Sequence, residues 1–206
     1  MKTKEKLKQI KYRIESLFFI IQRTLLSSFY KIKFPINKEV HCDSHVKIGR
    51  GTRIYFYNGK MHIKENTTIC NNSKFIIGGG KLEIGKNCLL GEYGIYNTFA
   101  NLIIEDDVIT ADRISFVTNI HQYHDIEIPI KDQPSTSDDI VIGRGTWIGM
   151  NATILGGTHI GKNVVIAAHS VVKGDFPDYC VCGGVPAHII RQYNIKIGKW
   201  EKPYNK

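Results

Sequence analysis

The chain has 206 residues, enough for one domain with a sizeable core and an added segment. Its formal net charge of +9 is concentrated in residues 1–33, which hold nine Lys or Arg against two Asp or Glu. Residues 34–206 carry nineteen Lys or Arg against seventeen Asp or Glu. This nearly neutral part of the chain argues against a nucleic-acid groove along it. Five cysteines, an odd number with no apolar signal segment before them, predict a reduced cytoplasmic setting.

Residues 1–35 are predicted to form a basic amphipathic helix. Aliphatic residues recur there at spacings of three and four, as at Leu7, Ile10, Ile14, Leu17 and Ile21. The run LFFII is too short to span a bilayer, which needs about 20 apolar residues. Two interpretations stay open. The apolar stripe packs on the rest of the protein or on sister subunits, or residues 1–33 contact an anionic membrane surface.

Between residues 142 and 172 the sequence repeats every six residues. An aliphatic residue falls at every sixth position without a slip: Ile142, Ile148, Ile154, Ile160, Ile166 and Val172. Helices repeat at threes and fours and strands at twos, so neither explains this period. A repeating unit of a short strand and a bend does explain it, and it is typical of a parallel β-helix that buries a continuous aliphatic column. A Gly-rich set of ordinary parallel strands is the disfavoured alternative.

The same period is present with interruptions from about residue 40, so the β-helix is predicted to span residues 40–185 of a domain comprising residues 36–206. Six aromatic residues are expected to cover the outside of the coils rather than form a cofactor site: Tyr55, Phe56, Tyr57, Tyr93, Tyr96 and Phe99. The largest interruption is a polar loop at residues 119–139, and a long excursion inside a compact repeat is commonly functional. Residues 187–206 are predicted to form a short helical tail, with a strand as the alternative.

The loop begins with two histidines, His121 and His124, followed by Asp125. Histidine is the side chain best suited to exchanging protons near neutral pH. Because His121 follows the strand-like run ISFVTN, its backbone is expected to be held rigidly, whereas His124 is looser. From these residues alone, a general base and a solvated loop histidine both stay open for His121, and Asp125 is equally well explained as a turn residue.

The block TNIHQYHDIEIPI, followed by IVIGRGTWIGMNATILGG, IGKNVVIAAHSVV and GGVPAHIIR, resembles the hexapeptide-repeat acyltransferases. Within them it is similar to the branch of maltose and galactoside O-acetyltransferases and bacterial surface-polysaccharide O-acetyltransferases. The resemblance covers about residues 46–191. It implies an all-β, left-handed parallel β-helix that assembles as a homotrimer with active sites between subunits. It also implies an enzyme that uses acetyl-CoA as acyl donor and needs no metal.

The resemblance also implies roles for individual residues. His121 would be the general base, the main-chain N–H of Met150 would stabilise the oxyanion, and Asp125 would orient His121 or hold the acceptor. The residues implied to contact the acceptor sugar are Asn119, His124, Glu92, Asn97 and Trp147. The residues implied to bind the coenzyme, through its pantetheine arm or its phosphates, are Gly149, Ala167, Ala168, Lys173 and Arg191.

The leading hypothesis is O-acetylation of a sugar hydroxyl in capsule, O-antigen or exopolysaccharide biosynthesis, by a cytoplasmic enzyme that residues 1–33 hold at the inner face of the membrane. N-acetylation of an amino-sugar nucleotide is the alternative within the transferases. A γ-type carbonic anhydrase is the alternative from another class. It needs three histidines around zinc on neighbouring coils, and the sequence groups only His121 and His124.

Overall fold

The computed structural model describes residues 39–202. Contacts along the chain divide it into two units, Met1–Asn37 and Lys38–Lys206, and the described residues all belong to the second. The helix predicted for residues 1–35 therefore lies outside the described residues. Within residues 39–202, no helix is long and apolar enough to cross a membrane.

Short parallel strands stack into three sheets, which form the three faces of a β-helix. The first face contains Val40–Cys42, Lys60–Ile63, Lys81–Ile84, Leu102–Ile104, Ile140–Ile142, Thr158–Ile160 and Asp175–Phe176. The second contains Lys47–Ile48, Thr68–Ile69, Leu89–Leu90, Ile109–Thr110, Trp147–Ile148, Val165–Ile166 and Cys180–Gly184, extended by Ala187–Asn194 and Lys199–Glu201. The third contains Arg53–Phe56, Lys74–Ile77, Ile95–Thr98, Ser115–Val117, Thr153–Leu155 and Val171–Val172. The predicted parallel β-helix is confirmed.

The six-residue period corresponds to one face of the β-helix. Ile142, Ile148 and Ile154 lie on the first, second and third faces in turn, and the next three aliphatic residues repeat that order one coil later. All six are at most 3% exposed. Each such side chain contributes about 1.5–3 kcal/mol relative to an exposed one, so the interior column is the main source of stability.

Aromatic side chains fill the interior behind the third face. Phe75, Tyr96 and Phe116 occupy equivalent positions on successive coils, and all three are fully buried. The Phe75 and Tyr96 rings stack with centroids 4.4 Å apart, and those of Tyr96 and Phe116 are 5.4 Å apart. The expected outward position is therefore wrong for Tyr96, whereas Tyr55, Tyr57, Tyr93 and Phe99 are exposed as predicted. Strand alternation points Ile95 and Asn97 outward and places the ring between them inside.

The helical tail predicted for residues 187–206 is also wrong over its described part, residues 187–202, where the strand alternative is observed. Ala187–Asn194 pairs antiparallel with Cys180–Gly184, and Lys199–Glu201 pairs with it in turn. The last coil of a β-helix presents an edge of unpaired N–H and C=O groups, and a returning strand satisfies them. The β-branched Ile189 and Ile190 favour this strand conformation.

Candidate active site

The loop of residues 119–139 leaves the β-helix at the corner between the third and first faces, and both of its ends are fixed there. Thr118 is buried, and its hydroxyl oxygen accepts a hydrogen bond from the Phe99 N–H at 2.7 Å. The Asp139 carboxylate accepts from the main-chain N–H of Asn101 at 2.8 Å and from its side-chain amide at 3.0 Å. The loop therefore starts and ends at anchored positions.

His121 lies on a short strand just beyond the first anchor. Asn119–His121 pairs antiparallel with Ser135–Ser137, which places His121 opposite Ser135, and the next residue, Gln122, donates its N–H to the Pro134 carbonyl at 2.9 Å. The imidazole is exposed, and no group within residues 39–202 hydrogen-bonds to it. A strand-held imidazole with unpaired ring nitrogens is suited to accept a proton from a bound hydroxyl.

The outer part of the loop folds around the buried side chain of Gln133. Its amide nitrogen donates to the carbonyls of Asp125 at 2.7 Å and Ile128 at 2.8 Å, and its oxygen accepts the Asp125 N–H at 3.3 Å. The Asp125 carboxylate accepts the Glu127 N–H at 2.9 Å, which is the contact of a turn residue. Its role toward His121 stays a prediction. Gln133 was not among the predicted site residues, although a polar residue beside Pro134 in a long loop is a signal for such a loop-closing side chain.

Asn97 and Asn119 meet at the base of this loop. Asn97 lies at the end of the third-face strand Ile95–Thr98, and its amide nitrogen donates to the Asn119 side-chain oxygen at 3.0 Å. Two of the predicted acceptor-binding residues are thus in contact, and one of them, Asn119, is two positions before His121 in the sequence. His124, another of them, is exposed on the same loop, where its ring lies against that of Tyr123.

Met150 occupies the corner between the second and third faces. The Ala152 N–H donates to the Gly149 carbonyl at 3.4 Å, and Asn151 between them has a φ of +58°. This is the pattern of a type II turn with Met150 at its second position. The side chain of Met150 is exposed, and Trp147 precedes it on the outward surface of the second face.

The main-chain N–H of Met150 has no acceptor within the described part of the chain. Two coils earlier, the equivalent N–H of Glu92 donates to the Asp112 carboxylate of the next coil at 2.8 Å. Above Met150 the equivalent residue is Ala168, as the hydrogen bond from the His169 N–H to the Met150 carbonyl at 2.8 Å establishes. Alanine offers no side-chain acceptor. The corner therefore carries an unused main-chain donor, which is the group that an oxyanion site requires.

Small residues let the coils approach closely at the same corner. A Cβ added to Gly149 would lie 2.6 Å from the Ala168 nitrogen, so only glycine fits there. Ala167 and Ala168 follow on the next coil. Glu92 lies at this corner too, where its carboxylate accepts a hydrogen bond from the Asn71 amide at 2.8 Å. The predicted residues Trp147, Gly149, Met150, Ala167, Ala168 and Glu92 thus share one edge of the β-helix.

The two basic residues predicted to meet phosphates lie apart from each other. Lys173 follows the third-face strand Val171–Val172, so it lies at the corner between the third and first faces. The loop of residues 119–139 leaves from the same corner, two coils earlier. Arg191 lies on the returning strand beside the second face, opposite Val181. Both side chains are exposed. One protomer therefore does not gather them around a single phosphate group.

His121 and Met150 lie at opposite edges of the third face. The loop leaves after the third-face strand of its coil, whereas Met150 precedes the strand Thr153–Leu155. Those three strand residues alone span about 10 Å, far beyond hydrogen-bonding reach of one reacting group. Within one protomer, the structure does not bring the predicted base and the predicted oxyanion donor together.

Comparison with known proteins agrees with this architecture. Residues 139–174 match the model of the bacterial transferase hexapeptide family, described as six repeats. The chain is 34% identical over 155 residues to the putative lipopolysaccharide biosynthesis O-acetyl transferase WbbJ of Escherichia coli K12, covering 70% of this chain and 78% of WbbJ. It is also 34% identical over 141 residues to the probable acetyltransferase Rv3034c of Mycobacterium tuberculosis, covering 68% of this chain but only 44% of that protein.

Among solved structures, the polySia-specific acetyltransferase NeuO superposes with a TM-score of 0.51 at 23% identity, covering 74% of each chain, which supports the shared fold. A hexapeptide β-helix with a histidine-bearing loop defines the class of protein. The chain belongs to the bacterial hexapeptide-repeat transferases, in the acetyltransferase branch that includes WbbJ. The predicted family and branch are confirmed.

Proposed function

We propose that the protein is an acetyl-CoA-dependent O-acetyltransferase that acts on a sugar hydroxyl in the synthesis of a bacterial surface polysaccharide. The observation that carries this proposal is the match over 78% of WbbJ, whose name gives both O-acetyl transfer and lipopolysaccharide biosynthesis. The exposed imidazole of His121 on an anchored strand supports it, because the reaction needs a base beside a bound hydroxyl.

In the proposed reaction, His121 takes the proton from the acceptor hydroxyl while that oxygen attacks the thioester carbonyl carbon of acetyl-CoA. The new C–O bond leaves negative charge on the carbonyl oxygen, and the Met150 N–H donates to it. Collapse of this intermediate breaks the C–S bond. The proton held by His121 then passes to the leaving sulfur, which gives an acetyl ester and free CoA.

The active site is composed of two subunits in this proposal. His121 and Met150 lie at opposite edges of one protomer's third face, so a neighbouring copy would supply the missing partner. An exposed apolar column on the second face is suited to such packing. Leu89, Ile109 and Trp147 lie in register on successive coils and are 45%, 47% and 53% exposed. A closed homotrimer would cover this column and form a site in each groove.

Acetyl-CoA would lie along the corner of small residues. Gly149, Ala167 and Ala168 leave their main chain accessible to the pantetheine arm. Lys173 and Arg191 would meet phosphates from different protomers. Asn97, Asn119 and His124, all beside the loop, would contact the acceptor, together with Glu92 and Trp147 from the facing corner of a neighbour.

Residues 1–33 would place the enzyme at the inner face of the cytoplasmic membrane, where lipid-linked sugars are available. Their nine Lys or Arg against two Asp or Glu favour an anionic surface. N-acetylation of an amino-sugar nucleotide is distinguished by the acceptor, so a panel that contains both hydroxyl and amine acceptors decides between the two reactions.

The proposal is tested by CoA release from the full chain with candidate glycans. His121→Ala should lower turnover by about 10²-fold or more, because general base catalysis contributes at least that much. His159→Gln is the matched control, since His159 is an exposed histidine on a first-face strand, outside the loop. Equal turnover in His121→Ala and the control would remove His121 from the mechanism.

A further inference from the structure

A cluster of two histidines and an aspartate lies on the first face, in the first two coils, away from the loop and from Met150. His41 and His62 occupy equivalent positions on Val40–Cys42 and Lys60–Ile63. The Asp43 carboxylate oxygen is 3.0 Å from the His41 Nε2 and 2.9 Å from the His62 Nε2. The three ligand-type atoms lie within 4.8 Å of one another. These three residues were not among the predicted site residues, although the 21-residue spacing of the two histidines, which equals one coil, was a signal for the cluster.

The backbone holds the three side chains in this arrangement. Strand pairing fixes the two histidines side by side, with ring centroids 4.9 Å apart. The Asp43 N–H donates to the Ile63 carbonyl at 2.9 Å, so the aspartate is tied to the same neighbouring coil. Ligands carried on paired strands need little rearrangement to bind an ion, and this lowers the entropic cost of binding.

The atoms are spaced nearly as a bound metal ion would require. Zinc–nitrogen and zinc–oxygen bonds of about 2.0–2.2 Å place tetrahedral ligands about 3.3–3.5 Å apart. The two nitrogen–oxygen distances therefore open by a few tenths of an ångström when an ion replaces the two ring protons, and the separation of the two ring nitrogens, at most 4.8 Å, closes toward the same value. The side chains of His41, His62 and Asp43 are 66%, 34% and 29% exposed, which leaves one side open to water as a further ligand.

Within residues 39–202, no further histidine, cysteine or carboxylate completes the cluster. Glu83 is next to His62 in the same outward column, but its carboxylate is held by Lys64 and Lys81. The donor set is therefore two imidazoles and one carboxylate.

We propose that His41, Asp43 and His62 bind a divalent transition-metal ion of the zinc class, at a site separate from acetyl transfer. Two imidazoles, one carboxylate and an open water position form a ligand set that zinc commonly takes. The ion joins the first coil to the second. Because the first-face strand of the first coil pairs only with the second coil among the described strands, this link would secure the β-helix where it begins.

The test titrates Zn²⁺ into the metal-free, untagged full chain by calorimetry, with the absorption bands of bound Co²⁺ as a second measurement. One equivalent should bind to the wild type. His41→Gln, His62→Gln and Asp43→Asn should each weaken binding at least about tenfold, since even the loss of groups that only support a ligand costs that much. Far-UV circular dichroism of each metal-free variant verifies the fold.

His159→Gln is the matched control. His159 Nδ1 lies 3.1 Å from the Asp175 carboxylate on the same face, which reproduces one imidazole–carboxylate pair without the second imidazole. This variant should bind Zn²⁺ as the wild type does. Wild-type protein that binds no zinc, or His41→Gln and His62→Gln proteins that bind it unchanged, would overturn the proposal. Acetyl transfer by His41→Gln should remain at the wild-type rate, which separates this site from the proposed reaction.

Discussion

The Asn97 amide nitrogen donates to the Asn119 side-chain oxygen at 3.0 Å, and this bond ties the strand that carries His121 to the third face. The Asn97 side-chain oxygen is buried and has no partner within residues 39–202. A buried acceptor without a donor is costly, and an acceptor sugar hydroxyl is one group that would satisfy it. In the proposed reaction, the pair would connect the position of His121 to the bound acceptor.

Replacing Asn119 tests this connection. Asn119→Ala removes the acceptor of the Asn97 amide and should lower kcat/KM about tenfold, the effect of a bond worth about 1.4 kcal/mol, while the melting temperature stays close to the wild type. Asn119→Asp keeps an acceptor oxygen and should retain most activity. Ser137→Ala, directly opposite Asn119 in the hairpin, is the control. A loss in Ser137→Ala as large as in Asn119→Ala would contradict a specific positioning role.

Met150 permits removal of a main-chain donor with little change in shape. Proline is favoured at the second position of a type II turn, and the preceding residue is glycine, which tolerates a following proline. Met150→Pro therefore deletes the N–H and should lower kcat by about 10²- to 10³-fold, the usual cost of an oxyanion donor. Met150→Ala keeps the N–H and should stay within a few-fold of the wild type. Steady-state measurement of kcat gives this difference, and thermal melting verifies that both variants are folded.

The same two variants test whether the site is shared between subunits. Co-expressed His121→Ala and Met150→Pro chains should regain part of the wild-type activity, because some grooves then pair an intact His121 with an intact Met150 N–H. Each variant expressed alone should keep its lowered activity. If the mixed assemblies recover no activity, the site is not shared between subunits: either one protomer supplies both His121 and the Met150 N–H, or these groups do not act together.

Gln133 should control the order of the loop rather than the stability of the β-helix. Gln133→Ala removes three hydrogen bonds to the main chain of Asp125 and Ile128. Amide exchange across residues 122–133 should become at least about tenfold faster, with a smaller change in melting temperature than a core substitution gives. Lys131→Ala, whose exposed side chain pairs with Asp132, is the control. Unchanged exchange in Gln133→Ala would show that the loop is held by other contacts.

The β-helix was predictable because its interior pattern is periodic in sequence. Ile142, Ile148 and Ile154 lie on three successive faces, so a strict period of six indicates a coil with three faces of six residues each. The same regularity did not predict that the Tyr96 side chain is buried. Its coil differs in length from the hexapeptide pattern, and local alternation decides which side of the strand is inside. The helical tail was wrong because the free edge of the last coil, invisible in local sequence, selects a strand.

The candidate site was predictable only in parts. His121 follows a strand-like run, and its place on a paired strand is what that run indicates. The free N–H of Met150 depends on Ala168 lying one coil above it, a relationship that local sequence does not contain. The His41 and His62 pair likewise depends on coils of unequal length coming into register. Contacts between coils are set by the number of residues per coil, and insertions at the corners hide that number.

Glu83 should make the stability of the first face depend on pH. Its carboxylate, 17% exposed, accepts hydrogen bonds from Lys64 and Lys81, and these hold the pKa of Glu83 below its ordinary value of 4.5. A carboxyl whose pKa is lower in the folded state stabilises the protein above the unfolded pKa. That contribution is lost as the pH falls through the lowered value. Glu83→Gln should therefore cost about 1 kcal/mol of unfolding free energy at pH 7, and the difference from the wild type should shrink below pH 4.5.

Urea denaturation at pH 7 and at several values below 4.5 measures both parts of this prediction. Glu65→Gln is the control, because Glu65 forms a single, more exposed ion pair with Lys86 at 2.8 Å and should cost less than about 0.5 kcal/mol. An equal loss of unfolding free energy in both variants would mean that the second lysine beside Glu83 adds nothing to stability. A loss in Glu83→Gln that persists unchanged in acid would assign the effect to packing rather than to charge.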